Sequence, residues 1–127
     1  MKRRNFISTA ILGLPISATL LQSAIASAGD DSGWTPAGPG IQKKSLFLQG
    51  TAEAALFRLK NGAVVPAHTQ PAGEYSFMAD GTFSLGGQTA VKGAYFYMPP
   101  GSNHPSGSAG PTGALIFVFT PQPVIFS

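Results

Sequence analysis

Turn signals divide this chain into pieces too short for anything but strands. Asn61-Gly62, Asp80-Gly81, Gly86-Gly87, Pro99-Pro100-Gly101 and Gly110-Pro111 recur through its second half. Each favours a backbone reversal, Gly by tolerating positive φ and Pro by fixing φ. The runs between and before them, at residues 45–49, 54–59, 64–70, 75–78, 82–85, 89–91, 94–98, 114–119 and 124–126, are short and rich in apolar and aromatic side chains. No stretch beyond residue 28 repeats its apolar positions at helical spacing. The pattern predicts an all-β domain, an antiparallel sandwich or barrel, with tight hairpins at Asn61-Gly62 and Asp80-Gly81.

The first 28 residues are of another kind. Lys2-Arg3-Arg4 is followed by a long apolar stretch, and no charge returns until Asp30. Gly13 and Pro15 interrupt that stretch, and Ala26-Ser27-Ala28 is a small-x-small cleavage triplet. Residues 1–28 therefore read as a signal peptide, and the processed chain as a periplasmic or secreted protein without a stable membrane anchor. Arg3-Arg4-Asn5-Phe6-Ile7 resembles the twin-arginine export motif, which implies export of an already folded protein. Residues 29–40, rich in Gly, Pro, Asp and Ser, read as a flexible N-terminal arm whose Trp34 packs on the flank of its own domain. Residues 41–127 form the folded domain.

Removing the leader changes the charge. Lys43, Lys44, Arg58, Lys60 and Lys92 then balance Asp30, Asp31, Glu53, Glu74 and Asp80, so the processed chain is neutral. The basic pI of the whole sequence, about 9.5, belongs to the leader, and nothing recommends nucleic acid as a partner. Cysteine is absent, which excludes a disulfide framework, a thiolate metal site and a cysteine nucleophile. A small domain of this kind depends on its core, a metal ion or oligomerisation.

Polar chemistry is concentrated in one place. His68, Gln70 and Glu74 fall within seven residues of a chain that has two His in all, and the second, His104, follows the Pro99-Pro100-Gly101 turn. On a strand, residues two apart share a face, so His68 and Gln70 aim at one point. The turn-prone Pro71-Ala72-Gly73 can fold Glu74 back beside them. A carboxylate inside an apolar barrel requires a cation, and these four side chains suit a divalent metal ion. Tyr75, Tyr95 and Tyr97 are candidate hydroxyls near it. Tyr95 and Tyr97 share a face opposite to Ala94, Phe96 and Met98, and parity alone leaves open which face looks inward.

These residues resemble the two motifs of the cupins. Gly62, His68, Gln70, Glu74 and Gly81 stand at the spacings of the first motif, and Gly93, Pro99, Gly101 and His104 at those of the second. Gln70 replaces the second His of the first motif, and Ser108 stands where the second motif ends in Asn. The resemblance implies a double-stranded β-helix, a jelly-roll barrel, with His68, Gln70, Glu74 and His104 as ligands of Zn, Fe, Mn or Ni. A set of two His, one Gln and one Glu is similar in content to that of zinc-dependent phosphomannose isomerases, themselves cupins. The stretch from Pro99 to Phe119 also looks like the zinc cupins related to the ChrR anti-sigma factor. For function the resemblance implies a metalloenzyme on a small-molecule substrate, of dioxygenase, isomerase or decarboxylase type, or else a non-catalytic metal- or ligand-binding module. For assembly it implies a homodimer, with residues 45–49 as the strand that joins the partner's sheet.

Overall fold

The computed structural model describes residues 7–8, 29, 31–70 and 72–121, and the strand expected at 124–126 lies outside them. Among the described residues there are eleven strands: β1 (Ile7–Ser8), β2 (Trp34–Gly38), β3 (Ile41–Gln49), β4 (Ala52–Leu59), β5 (Val64–Val65), β6 (His68–Gln70), β7 (Glu74–Leu85), β8 (Gln88–Val91), β9 (Tyr95–Met98), β10 (Ser102–His104) and β11 (Gly107–Thr120). The main sheet runs β1-β9-β7-β11-β4-β3-β2, with β5 added to β11 and β8 to β7, and β6 and β10 form a separate ribbon. Pairing is antiparallel throughout. This is the expected all-β jelly-roll barrel, built around the two longest strands, β7 and β11.

Strand parity gives the sheet two apolar faces. Inward-facing Phe57, Leu59, Met78, Phe83, Phe96, Ile116 and Val118 belong to the main core. On the other face Ala54, Leu56 and Phe117 are buried beneath Trp34, Leu46, Phe77, Leu115 and Phe119. The run Ala54-Ala55-Leu56-Phe57 is apolar without alternation because β4 is covered on both sides. Each large side chain so buried contributes roughly 1.5–3 kcal/mol.

Four local expectations are corrected. Residues 34–38 are a strand, not part of an irregular arm. Pro36 is tolerated because β2 is an edge, and Trp34 is anchored by the Arg58 guanidinium at 4.1 Å and the Lys44 ammonium at 5.9 Å. Asp80-Gly81 is not a hairpin, since β7 runs straight through it. The register passes from Leu115↔Asp80 to Ile116↔Met78, which leaves Ala79 as a bulge. Gly81 has φ +73°, so the left-handed geometry signalled by the sequence serves a bulge, and the reversal falls at Gly86-Gly87 instead. Asn61-Gly62 does turn the chain, with the Ala63 N–H donating to the Lys60 carbonyl at 2.9 Å. It joins β4 to β5, however, and β5 pairs with β11. The single strand expected over 64–70 is broken at Pro66, which cannot donate to a ladder.

Strand β3 follows β4 as far as Gln49, whereas β2 covers its other side only as far as Lys44. Residues 45–49 therefore present an open edge to any strand outside the described residues, with Phe47 43% and Leu48 61% exposed.

A Cβ at position 81 would strike the Gly113 carbonyl oxygen and lie 2.9 Å from Ala114 Cα, whereas one at Gly50, also at positive φ, would meet nothing. Gly50→Ala is expected to cost about 1–2 kcal/mol, the strain of the left-handed backbone alone. Gly81→Ala should cost several times more, read as a shift of the urea midpoint at unchanged slope.

Candidate metal centre

The ribbon of β6 and β10 positions the two histidines. His104 lies directly opposite His68, Asn103 opposite Thr69 and Ser102 opposite Gln70. Opposed residues in an antiparallel pair have adjacent side chains, and the two imidazoles stack at 4.6 Å between centroids and 15° between planes. Thr69 Oγ1 donates to Asn103 Oδ1 at 3.2 Å, tying the ribbon on its other face. Entry to β10 is set by a turn over Pro99-Pro100-Gly101-Ser102. The Ser102 N–H and Oγ–H both donate to the Pro99 carbonyl, at 3.1 and 2.6 Å. Gly101 has φ +77°, the conformation required at the third position of a type II turn that has Pro at its second.

Glu74 opens β7 and faces the histidines. It is 5% exposed and His104 4%, with Glu74 Oε1 3.5 Å from His104 Nε2. Ser76, two residues on and on the same face, donates its hydroxyl to Glu74 Oε1 at 3.3 Å. The backbone of Gln70 lies in β6, but its side chain is outside what the structure describes.

Ring hydrogen bonds fix the chemistry of the imidazoles. His68 Nδ1 lies 2.8 Å from the Pro66 carbonyl oxygen and His104 Nδ1 3.1 Å from that of Pro105. A carbonyl only accepts, so each Nδ1 carries the proton, and in the neutral ring Nε2 carries the lone pair. This is the arrangement of metal-ligating histidines, whose other nitrogen is tied to a backbone carbonyl or carboxylate. His68 Nε2 is shut off from solvent. His68, Glu74, Ser76 and His104 line one cavity of about 30 Å³, whose remaining wall includes Phe57, Phe83, Phe96 and Val118. That volume holds roughly one or two water-sized groups. Two imidazole nitrogens and a carboxylate form a donor set that fits Zn, Fe, Mn or Ni. Among the described residues no group of three His, Asp or Glu side chains is already arranged to hold a metal ion.

The tyrosines are not part of this site. Ala94 and Phe96 join the inner core, so parity turns Tyr95 and Tyr97 outward, where Tyr97 packs against Tyr75 at 4.6 Å. A charged pair that sequence reasoning passed over does face inward. Glu53 Oε1 lies 2.7 Å from Lys43 Nζ, on the face that β4 shares with Ala55, Phe57 and Leu59. The Glu53-x-Ala55-x-Phe57-x-Leu59 alternation was the available signal. Across the sheet Glu53 pairs with Thr120 of β11 and lies about 10 Å from Glu74 by strand spacing.

Burial by itself would lower the pKa of His104. The hydrogen bond that protonated His104 donates to Glu74, the Glu74 charge and the bond to the Pro105 carbonyl outweigh burial and raise the pKa above the ordinary 6.5. The stability from the His104–Glu74 pair in metal-free protein is thus fully present below pH 6.5 and is lost as pH rises through the raised value. In chelator-treated protein the His104 ring resonances are expected to titrate above 6.5, and Glu74→Gln should move that midpoint downward. An unmoved midpoint would show that Glu74 does not govern it.

With this geometry in place, comparison with known proteins is informative. A search of curated proteins finds no match. Among solved structures, the fold is similar to a candidate acetylacetone dioxygenase from Methylibium petroleiphilum PM1, at 22% identity over 74% of each chain with a TM-score of 0.64. It is similar to an acetylacetone dioxygenase from Acinetobacter johnsonii, at 19% identity over 94% of this chain and 80% of that one, TM-score 0.62. It is also similar to the Rhodobacter sphaeroides SigE–ChrR anti-sigma complex, at 19% identity over 84% of this chain and 68% of that one, TM-score 0.63. At such identities these likenesses show the fold. The family model for the ChrR cupin-like domain matches residues 22–123, and the chain belongs to that cupin family.

Proposed function

We propose that this chain is an exported cupin that holds one divalent metal ion between His68, Glu74 and His104, with Gln70 as the fourth ligand, and that it acts on a small molecule at that ion. One observation carries the reading. Both imidazoles commit Nδ1–H to backbone carbonyls and line one cavity with a buried carboxylate. When bound, the ion supplies a Lewis acid for a carbonyl or enolate oxygen or, if redox-active, a centre for oxygen chemistry. The chain supplies orientation and dryness. Ser76 holds the Glu74 carboxylate, the Pro66 and Pro105 carbonyls fix the ring tautomers, and the Phe57, Phe83 and Phe96 wall excludes water. Dioxygenase, isomerase and decarboxylase chemistry all fit such a centre, and the acetylacetone dioxygenase neighbours support the catalytic reading at the level of fold.

A second reading, a metal-binding module without turnover, is favoured by the size of the cavity. About 30 Å³ accommodates little beyond an ion and its water, so a substrate requires the walls to move. Elemental analysis of protein from its native compartment separates the readings in part. Iron or nickel supports oxygen chemistry, and zinc supports isomerase-type or non-catalytic roles. His104→Ala should reduce bound metal from about one ion per chain to a small fraction. Unchanged metal content would refute the site. Gln70→His should raise affinity for nickel or iron about tenfold or more if Gln70 is a ligand.

Export rests on Arg3-Arg4-Asn5-Phe6-Ile7 and on Ala26-Ser27-Ala28, and it predicts a mature N-terminus at Gly29 in the intact mass of the exported protein. We also propose that the protein dimerises through the open edge at residues 45–49, supported by exposed Phe47 and Leu48 on an uncharged strand edge. Leu48→Lys should shift light-scattering mass from dimer toward monomer. A wild-type monomer at micromolar concentration would end that proposal.

A further inference from the structure

The outer face of the sheet holds a second and larger pocket, of about 230 Å³, whose lining includes Arg58, Asp80, Thr112 and Leu115. It arises from a single cross-strand row. Asp80 of β7 pairs with Leu115 of β11, Leu115 with Arg58 of β4, and Arg58 with Gln42 of β3. Leu115 is the floor. Arg58 and Asp80 are the two walls, with Cα atoms about 10 Å apart by strand spacing.

Arg58 is the only arginine beyond residue 28, and its side chain is held in place. Nε and Nη2 both donate to Gln42 Oε1, at 3.1 and 2.7 Å, and the guanidinium lies 4.1 Å over the Trp34 ring. Both partners are neutral, so the charge is oriented without being cancelled. Gln42 lies on the side of β4 away from Leu115 and Asp80, so the guanidinium leans away from the aspartate. Among the described residues, the ion pairs Lys43–Glu53 and Glu74–His104 include neither Arg58 nor Asp80. Of the five guanidinium N–H groups, Gln42 takes two, and the outer fork remains available for bidentate binding of a carboxylate. The rigid setting means that little side-chain entropy is lost when a ligand arrives.

Asp80 stands on the opposite side. The bulge at Ala79 and the positive φ of Gly81 displace it from the regular ladder, and the irregular stretch of β11 between Ala109 and Ala114 brings Thr112 to the rim. Opposite charges therefore face one apolar-floored pocket across a gap that neither side chain closes.

We propose that this pocket binds a small zwitterion of the ω-amino-acid class, its carboxylate on the Arg58 fork and its ammonium on Asp80. A simple anion would leave Asp80 unmatched, and a simple cation would leave Arg58 unmatched, so the pair selects for a ligand carrying both charges. The site is separate from the metal cavity and shares none of its ligands.

The test is titration of the purified protein, followed by amide chemical shifts, with glycine, 4-aminobutyrate and 6-aminohexanoate, and with acetate and methylammonium as single-charge controls. At least one of the amino acids should bind saturably and about tenfold or more tighter than either control. The perturbed amides should be those of β4, β7 and β11 around Arg58, Asp80 and Leu115. Asp80→Asn, at an exposed position, should abolish the preference over acetate without weakening acetate itself, since it removes a negative charge facing the same pocket. Arg58→Lys, which keeps the charge and loses the fork, should weaken the amino acid about tenfold. Chelation of metal should leave all of these values unchanged. The proposal is overturned if no amino acid saturates by about 10 mM, if the preference survives Asp80→Asn, or if chelation removes it.

Discussion

A carboxylate enclosed by Phe, Leu and Val side chains requires compensation, and Glu74 sets that requirement for this barrel. An isolated buried charge costs several kcal/mol or more, comparable with the whole margin of stability of a small domain. Each neighbouring element answers to it. Strand β10 brings His104 Nε2 to 3.5 Å, and Ser76 supplies a hydroxyl from β7, the strand of Glu74 itself. The β6–β10 ribbon stacks His68 on His104. The proton on His104 and a divalent ion are alternative answers to the same charge. At the proposed metal site an ion would compete with the proton for one nitrogen, and binding it would release that proton.

The ribbon that carries both histidines is small and pairs outside the main sheet, so its position depends on its connections. Pro66 ends β5 and offers its carbonyl to His68. The Pro99–Ser102 turn fixes the start of β10, and Pro105 offers its carbonyl to His104. Prolines thus stop the ladders, and their carbonyl oxygens set the tautomer of the adjacent ring. The residues that shape the backbone here also determine which nitrogen faces the cavity.

Much of this was legible in the sequence because it rests on local rules. Short apolar runs between Gly and Pro turns indicate strands, and the spacing of the two motifs points His68, Gln70, Glu74 and His104 at one site. What was not legible depends on partners distant in the chain. Asp80-Gly81 carries the local signature of a hairpin, but pairing with β11 on one side draws β7 through it as a bulge. Trp34 sits in a stretch of loop-like composition, and it is pairing with the distant β3, with Trp34 stacked on Arg58, that makes residues 34–38 a strand. The outward orientation of Tyr95 and Tyr97 follows from Phe96 joining the core, which parity alone does not reveal. Glu53 was legible by alternation with Ala55 and Phe57, yet its ion pair with Lys43, which the register places opposite Phe57, requires the folded barrel.

The two faces of the sheet carry contrasting polar sites. Inside, the groups converge on about 30 Å³ and suit an ion. Outside, Arg58 and Asp80 stand apart across about 230 Å³ and suit a small organic ligand. The central claim concerns the inner one, and diffraction from a crystal of the metal-loaded protein, measured at the absorption edge of its metal, tests it most directly. The account predicts a single strong anomalous peak about 2.0–2.2 Å from His68 Nε2, His104 Nε2 and a Glu74 carboxylate oxygen. A barrel interior without that peak, or a peak bound by other residues, would contradict it.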